Sequence, residues 1–300
     1  MANAGGKWAV MSQSLPLRAR PNRHAVIVPL FGHHACHGLE AYLESLVAEN
    51  LCVVLVDNNP EESARRASMV RGCELLFNYN RGGIAGGLNR GIEFARQMEA
   101  VWITLLDQDS RIDPGQIRRL SEPLADRPRQ RMVIGPAIWD EQKQRRHGRW
   151  STTSQGLDST RLLISSGITF RAADWPDLGS FHEELWIDFV DHAWCFRAQS
   201  RGFALFQHPG VVLKQHFGSA HPHHVCRWLG MRLYSPQRHY YGLRNLRWLC
   251  LQANVPLDLK LKEVCKMMLK PFLWLLFEPQ RPANLRAIGQ SLIAKLPGPY

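Results

Sequence analysis

Seven cysteines are scattered through the 300 residues, and no two of them make a Cys-x-x-Cys pair. An odd, dispersed set of this kind excludes a disulfide framework and a zinc knuckle, and it fits a reducing compartment. No uninterrupted apolar stretch approaches the roughly 20 residues that a bilayer-spanning helix needs. The apolar run at Trp8–Met11 is too short for the core of a signal peptide. Acidic residues are missing from 1–39, where Arg18, Arg20 and Arg23 mark a loose basic leader. Two common phosphate loops are absent as well. The glycines between 82 and 91 are not followed by Lys-Ser/Thr, and they do not make Gly-x-Gly-x-x-Gly. Neither an internal repeat nor a low-complexity tract occurs.

What is present is enough apolar residue to build a core: 45% hydrophobic against 21% charged. The net charge of +11 is uneven, since residues 224–300 hold 12 Lys/Arg and only 3 Asp/Glu. A basic end of this kind suits an anionic partner such as phospholipid, nucleic acid or a phosphorylated substrate; a solvated basic surface is the plainer alternative.

Short apolar runs at 24–31, 51–56, 73–77 and 101–106 alternate with helical periodicity at 38–50, 61–70 and 83–98. The alternation predicts an α/β fold with a mostly parallel sheet covered by helices on both faces. Further apolar runs at 132–139, 162–170 and around 211–213 predict additional strands, and 143–149 reads as an exposed basic loop. The expected organisation is a flexible leader over 1–22, a catalytic domain over 23–223 and a basic helical region over 224–300. In the last region Leu257, Leu261, Val264, Met268 and Phe272 share a helical face, lysines occupy another, and Pro271 should kink or end the helix. Such a helix suits a membrane interface; packing onto the domain or onto a dimer partner suits it equally.

Polar residues gather at the predicted strand ends, where ligands bind in open α/β sheets. Asp57 ends the second strand, Asn80 follows the third, and Asp107-Gln108-Asp109 follows the fourth. Strand side chains alternate faces, so Asp107 and Asp109 at the end of the fourth strand are expected to point the same way, and two carboxylates there suit Mg2+ or Mn2+; an acidic loop is the alternative. The glycine-rich segment from Asn80 to Gly91 opens a helix, which suits either an anion or close packing of helix on sheet. In 181–191 one of four carboxylates could serve as a general base, with Trp186 and Trp194 as a sugar platform; a helix start enriched in acids is the alternative. His216, at a strand end, is either a metal ligand or structural.

Taken in order, these pieces carry a resemblance. Val54-Leu55-Val56-Asp57-Asn58 comes first, then Asn80-x-Gly82-Gly83-x-Ala85-x-Gly87-x-Asn89-x-Gly91, then Leu106-Asp107-Gln108-Asp109-Ser110. Ser166-Gly167 follows, then Gly179-x-Phe181-x-Glu183-x-Leu185-x-Ile187-Asp188-x-Val190-Asp191-x-x-Trp194-Cys195-x-Arg197, then His216 and Ser235-Pro236-x-Arg238-x-Tyr240-Tyr241-x-x-Arg244-Asn245. Over about 24–250 the chain resembles family-2 glycosyltransferases of the GT-A fold, most of all the bacterial rhamnosyltransferases.

The resemblance implies an inverting transfer from a nucleotide sugar, dTDP-L-rhamnose, to a glycan or lipid-linked glycan, by a cytoplasmic enzyme peripheral to the inner face of the cell membrane. It implies that Asp57 contacts the base; that Asn80, Gly82, Gly83, Asn89 and Asp107 belong to the donor site; and that Asp109, Asp107 and His216 hold Mg2+ or Mn2+. Asp191 falls at the place of the base, with Ser166, Gly167, Glu183, Trp186 and Asp188 on the acceptor side. Two departures stand out: Val28-Pro29-Leu30-Phe31 replaces the family's frequent Thr-Tyr-Asn, and Ala193 stands where the branch often has an acid. A UDP-hexose or galactofuranose donor is the alternative within the family. The high isoelectric point suggests a nucleic-acid-binding protein, but acids at strand ends disfavour a polyanion, and no nucleic-acid partner is expected. A homodimer is compatible with the sequence.

Overall fold

The structure, a computed structural model, describes residues 23–32, 38–59, 71–141, 144–146, 156–215, 221–229 and 231–298. The 1–22 leader, the helix expected over 61–70, His216 and part of the basic loop at 143–149 lie outside the described residues. Strands β1 (His24–Leu30), β2 (Cys52–Asp57), β3 (Cys73–Phe77) and β4 (Trp102–Leu105) accompany helices α1 (Leu39–Ala48) and α2 (Gly83–Gln97). The four strands are parallel and stand in the order β3-β2-β1-β4. Their apolar runs are continuous because both faces are buried. Ala25, Ile27, Val54 and Val56 pack with Leu88 and Ile92 of α2. The alternate residues Val26, Val28, Val53 and Leu55 pack with Leu43 and Leu46 of α1. A Cβ on Gly91 would lie 2.3 Å from Ile27 Cγ2, so α2 approaches the sheet at a distance that only glycine allows.

The second half makes the sheet mixed rather than uniformly parallel. Helices α3 (Pro114–Ile117) and α4 (Glu122–Asp126) lead into β5 (Met132–Asp140), followed by the short β6 (Arg145–Arg146), β7 (Asp158–Ser159) and β8 (Thr169–Arg171). Helices α5 (Trp175–Leu178) and α6 (Val190–Ser200) precede β9 (Ala204–Gln215). β8 lies antiparallel between β4 and β5, while β5 and β9 run parallel. Of the apolar run 162–170 only the end is strand, because Gly167 turns the chain at φ +87° just before it.

Four helices complete the described chain: α7 (His224–Trp228), α8 (Pro236–Leu251), α9 (Leu257–Phe277) and α10 (Arg281–Ile293). Ser235 caps α8, its Oγ accepting from the Arg238 N–H at 3.3 Å, with Pro236 at the first turn. These helices are tied to the α/β half: Arg161 grips Asp258 through two bonds of 2.7 and 2.9 Å. α9 does not end at Pro271. Trp274, beyond the proline, is buried and stacks on His239 of α8 with ring centroids 3.8 Å apart, which holds the last turns in place. Among the described residues no helix is long and apolar enough to cross a membrane.

Candidate active site

The strand order 3-2-1-4 places a crevice at the carboxyl ends of β1 and β4, where the chain direction of the crossovers reverses. A cavity of about 770 Å³ opens there, lined by Asn58, Asn80, Asp107, Asp109, Trp186, Asp188 and Asp191 among others. Among its lining residues is Gln108, whose amide bonds both the N–H and the carbonyl of Phe31, at 2.9 and 2.8 Å. This clasp joins the end of β1 to the turn after β4.

Asp57 ends β2 and is buried. Its Oδ1 accepts from the Asn59 backbone N–H at 3.0 Å and from Asn59 Nδ2 at 2.6 Å, while Oδ2 has no described partner. Asn58 lines the cavity; its Nδ2 donates to the Gly83 carbonyl at 2.8 Å, and its Oδ1 accepts from Asn78 Nδ2 at 2.6 Å. Asp57 itself is not among the residues that line the cavity; its neighbour Asn58 is.

Asp107 and Asp109 share the cavity, but not through a strand pleat. β4 ends at Leu105, and the two acids lie in the turn that follows, where the Ser110 N–H donates to the Asp107 carbonyl at 3.1 Å. Neither carboxylate makes a hydrogen bond or an ion pair among the described residues. Burial first, then the charges of Asp109 and Asp191, push the Asp107 carboxyl up to about 7. Crowded, unpaired carboxylates supply hard oxygen donors, and a divalent cation fits that chemistry. Among the described residues no three side chains form a closed cage. The pair would therefore hold an Mg2+-type ion only in part, as such ions are held when phosphate oxygens and water complete the shell.

Ser166 and Gly167 do not line this cavity. Ser166 Oγ accepts from the Asp107 N–H at 3.1 Å, and the Gly167 N–H donates to the Leu105 carbonyl at 2.6 Å. Their hydrogen bonds fix the turn that carries Asp107.

The glycine-rich segment also takes its packing role. Gly83 has φ +59°, and a Cβ there would lie 2.4 Å from the Trp186 carbonyl oxygen; one on Gly82 would lie 2.7 Å from Glu183 Oε2. The Trp186 carbonyl accepts from the Ile84 N–H at 3.1 Å, so protein backbone rather than a phosphate covers the first turn of α2. Asn89 is consumed by the same segment: it bonds the Phe181 N–H and carbonyl, at 2.8 and 2.9 Å, and Glu183 Oε1 at 2.9 Å. Asn89 and Glu183, expected to meet donor and acceptor, are thereby joined to each other. Asn80 and Trp186 do face the cavity.

Asp191 sits in the first turn of α6 and lines the cavity. Its Oδ1 accepts from the His192 N–H at 2.8 Å and pairs with His192 Nδ1 at 2.9 Å. Burial alone would raise its pKa, but the neighbouring imidazole and these hydrogen bonds outweigh it and hold the carboxyl below its ordinary range. His192 shifts upward for the reciprocal reason, the Asp191 charge overcoming burial. A group kept as carboxylate and open to a cavity can accept a proton from a bound hydroxyl.

The sequence motifs left Arg238, Arg244 and Asn245 without roles, and the fold supplies them. Arg238 holds Asp188. Arg244 donates to the Glu184 carbonyl. Asn245 Nδ2 reaches the carbonyls of Leu185, Ile187 and Asp188 at 2.7 to 3.0 Å. The segment needs holding, because Trp186, Asp188 and Phe189 all have positive φ. α9 adds Glu263, Lys266 and Lys270 to the cavity wall, so the C-terminal helices help build the site.

The sequence profile of glycosyl transferase family 2 matches residues 25–176. The chain is 28% identical over 256 residues to the dTDP-rhamnosyl transferase RfbF of Shigella flexneri, an alignment covering 81% of this chain and 84% of that protein. Its structure is similar to that of S. aureus TarS 1–349 in complex with UDP-GlcNAc, with a TM-score of 0.54 and 14% identity over 90% of this chain and 80% of that one. GalNAc-T7 with UDP, GalNAc and Mn2+ also matches, with a TM-score of 0.54 and 14% identity over 86% of this chain and 56% of that one. The shared architecture is the GT-A fold.

Proposed function

This chain belongs to glycosyl transferase family 2, and from that premise we propose that it is an inverting, metal-dependent rhamnosyltransferase using dTDP-L-rhamnose. The observation that carries this reading is the convergence of Asp107, Asp109 and Asp191 on one cleft, with Asp191 alone held beside an imidazole. Asp107 and Asp109 follow β4 at the nucleotide end, whereas Asp191 starts α6 beside His192. The identity with a dTDP-rhamnosyl transferase supports the choice of sugar.

In this reading the Asp57 carboxylate, whose buried Oδ2 has no described partner, accepts the imide N–H of the base. Asp107 and Asp109, with His216, would hold Mg2+ or Mn2+, which supplies charge stabilisation to the departing diphosphate. Asp191 takes the proton of the acceptor hydroxyl as its oxygen bonds to the anomeric carbon and the bond from that carbon to the diphosphate oxygen breaks. Attack opposite the leaving group inverts the configuration. Asn58 and Asn80 line the donor end, and Trp186 and Asp188 the acceptor end.

The acceptor in this account is a lipid-linked or surface glycan met at the inner face of a cell membrane. On α9, Leu257, Leu261, Met268 and Phe272 are 56–69% exposed along one side, flanked by Lys260 and Lys262. An apolar stripe edged by lysine is suited to an anionic bilayer surface.

The test is nucleoside diphosphate release from a panel of dTDP-L-rhamnose, UDP-hexoses and UDP-galactofuranose with Mg2+ or Mn2+. Release from dTDP-L-rhamnose alone is expected. Turnover of a UDP sugar instead would replace the donor, and no turnover of any donor with a lipid-linked acceptor supplied would overturn the transferase reading.

A further inference from the structure

A second cavity, of about 380 Å³, lies outside the cleft between α8 and α10. Gln237, Tyr240 and Tyr241 of α8 line one wall, and Arg286 and Gln290 of α10 line the other. None of these five side chains makes a hydrogen bond or an ion pair with a described residue. This sets them apart from the rest of α8. Arg238 is bonded to Asp188 at 3.0 Å, His239 to Glu278 at 2.8 Å, and Asn245 to three carbonyls, while Arg244 and Arg247 hold the carbonyls of Glu184 and Ser291. The helix commits its other basic and amide side chains to the fold and leaves open those that face the cavity. An aromatic stack joins this cavity to the cleft. Trp186 lines the cleft and Tyr241 the second cavity, and their rings stack 4° from parallel with centroids 6.1 Å apart. Tyr240 meets Tyr241 edge to face at 5.1 Å. The Arg244 guanidinium lies over the Tyr241 ring at 4.9 Å, which fixes the ring in place.

We propose that the α8–α10 cavity is a saccharide subsite, holding neutral sugar residues of the acceptor glycan beyond the one that reacts. This rests on the transferase reading above and adds a binding site, outside the cleft, for a chain of sugars. A sugar ring has an apolar C–H face and a rim of hydroxyls. The rings of Tyr240 and Tyr241 offer the first a flat, rigid partner. Hydroxyls both donate and accept, and so do the amides of Gln237 and Gln290 and the two phenols. Arg286 is the one charged residue among those lining the cavity, and none of them is acidic. A phosphate or carboxylate only accepts, so it would leave both amide oxygens unanswered; a neutral saccharide uses the whole set. Aromatic walls with a few placed polar groups are the usual form of a small-ligand site. The Trp186–Tyr241 stack then gives the glycan an aromatic path from the cavity to the cleft.

The experiment applies the full chain, loaded with dTDP and Mn2+, to an array of bacterial surface oligosaccharides of graded length, some neutral and some containing uronate. Wild type is expected to be captured by neutral oligosaccharides, and more firmly by the longer members of a series than by its monosaccharide. Tyr240→Ala and Arg286→Ala should each weaken capture of the longer glycans about tenfold, the scale of one lost ring contact or hydrogen bond, and leave capture of the monosaccharide as it was. Tyr240→Phe, which keeps the ring, should retain most of the binding. Lys295→Ala, which removes an exposed lysine elsewhere, should match wild type. The dTDP affinity, donor turnover and circular dichroism spectrum should be the same in every variant. No capture of wild type by any oligosaccharide overturns the proposal, as does equal capture of wild type and both alanine variants, or a preference for uronate. A loss of dTDP affinity alongside the loss of capture also overturns it, because the cavity would then be a support of the cleft. Donor turnover separates the two levels. If wild type turns over a donor while the alanine variants change nothing, only this inference fails; if no donor is turned over, the transferase reading fails with it.

Discussion

Arg238 closes on Asp188 from Nε and Nη2, with three contacts of 3.0 to 3.2 Å across 50 residues of sequence. The pair links α8 to the segment whose positive-φ residues lead directly into Asp191. The guanidinium also lies over the Tyr234 ring at 4.0 Å, so one face and one edge are committed.

Breaking this link should act on catalysis through position. Arg238→Ala is expected to lower kcat for transfer about 10- to 100-fold, with dTDP affinity within about twofold of wild type. Arg238→Lys should recover little, because a point charge cannot reproduce the planar fork. Unchanged kcat in Arg238→Ala would show that the 185–189 segment holds its shape without α8.

The pH profile should depend on His192. The imidazole keeps the Asp191 carboxyl below its ordinary value of 3.8 against the opposing effect of burial. Replacing His192 with Asn removes the positive charge, so the Asp191 pKa rises and the acid limb of kcat/KM moves to higher pH. The same pair also contributes to stability. The His192 contribution is fully present below its ordinary 6.5 and is lost as pH rises through its raised folded value. The Asp191 contribution is fully present above 3.8 and is lost as pH falls through its lowered one. Denaturation of wild type and His192→Asn should therefore differ most between those two values. An acid limb that stays in place would show that the imidazole does not set the charge of Asp191.

Divalent metal binding should compete with a proton on Asp107. With its carboxyl near 7, metal-free Asp107 is largely protonated at pH 6 and ionised at pH 8. Calorimetric Mn2+ affinity should rise about tenfold per pH unit below 7 and level off above it. Asp109→Asn should bring the Asp107 pKa down, flatten this dependence and weaken Mn2+ binding. A flat profile in wild type would contradict the assignment of Asp107 as a ligand.

The α9 stripe should govern membrane recovery. Substituting Leu261 and Phe272 with Asp is expected to abolish sedimentation with anionic vesicles while leaving the circular dichroism spectrum and dTDP binding intact. If the substitutions instead change the sedimentation coefficient of the protein alone, the stripe is an interface between two copies of this chain.

The α/β half was legible because strands buried on both faces leave unbroken runs such as Val53–Val56, and such runs end where the chain meets solvent. Asp57 and Asp107 could be located from those endings. The direction of Asp109 could not be read from the pleat, since β4 stops two residues before Asp107. The glycines at 82 and 83 carry one sequence signal for two uses, close approach of a phosphate or of backbone, and only the fold shows Trp186 against them. Asn89 and Glu183 meet across 94 residues, and Arg238 and Asp188 across 50, separations that no periodicity encodes. His192 was in plain view beside Asp191, where a charged neighbour within one residue is a readable signal. The part of α9 in the cleft was hidden because its lysines read as a solvated face.

The division of labour between Asp191 and the Asp107–Asp109 pair is tested most directly by one comparison. Sugar transfer from dTDP-L-rhamnose is measured for wild type and Asp191→Asn at the same Mn2+ concentration, alongside the Kd for dTDP. The account predicts that Asp191→Asn binds dTDP with Mn2+ as wild type does and transfers at least about 10³-fold more slowly, the scale of a lost general base. Transfer by Asp191→Asn at a wild-type rate, or a loss of dTDP binding in step with the loss of transfer, would contradict it.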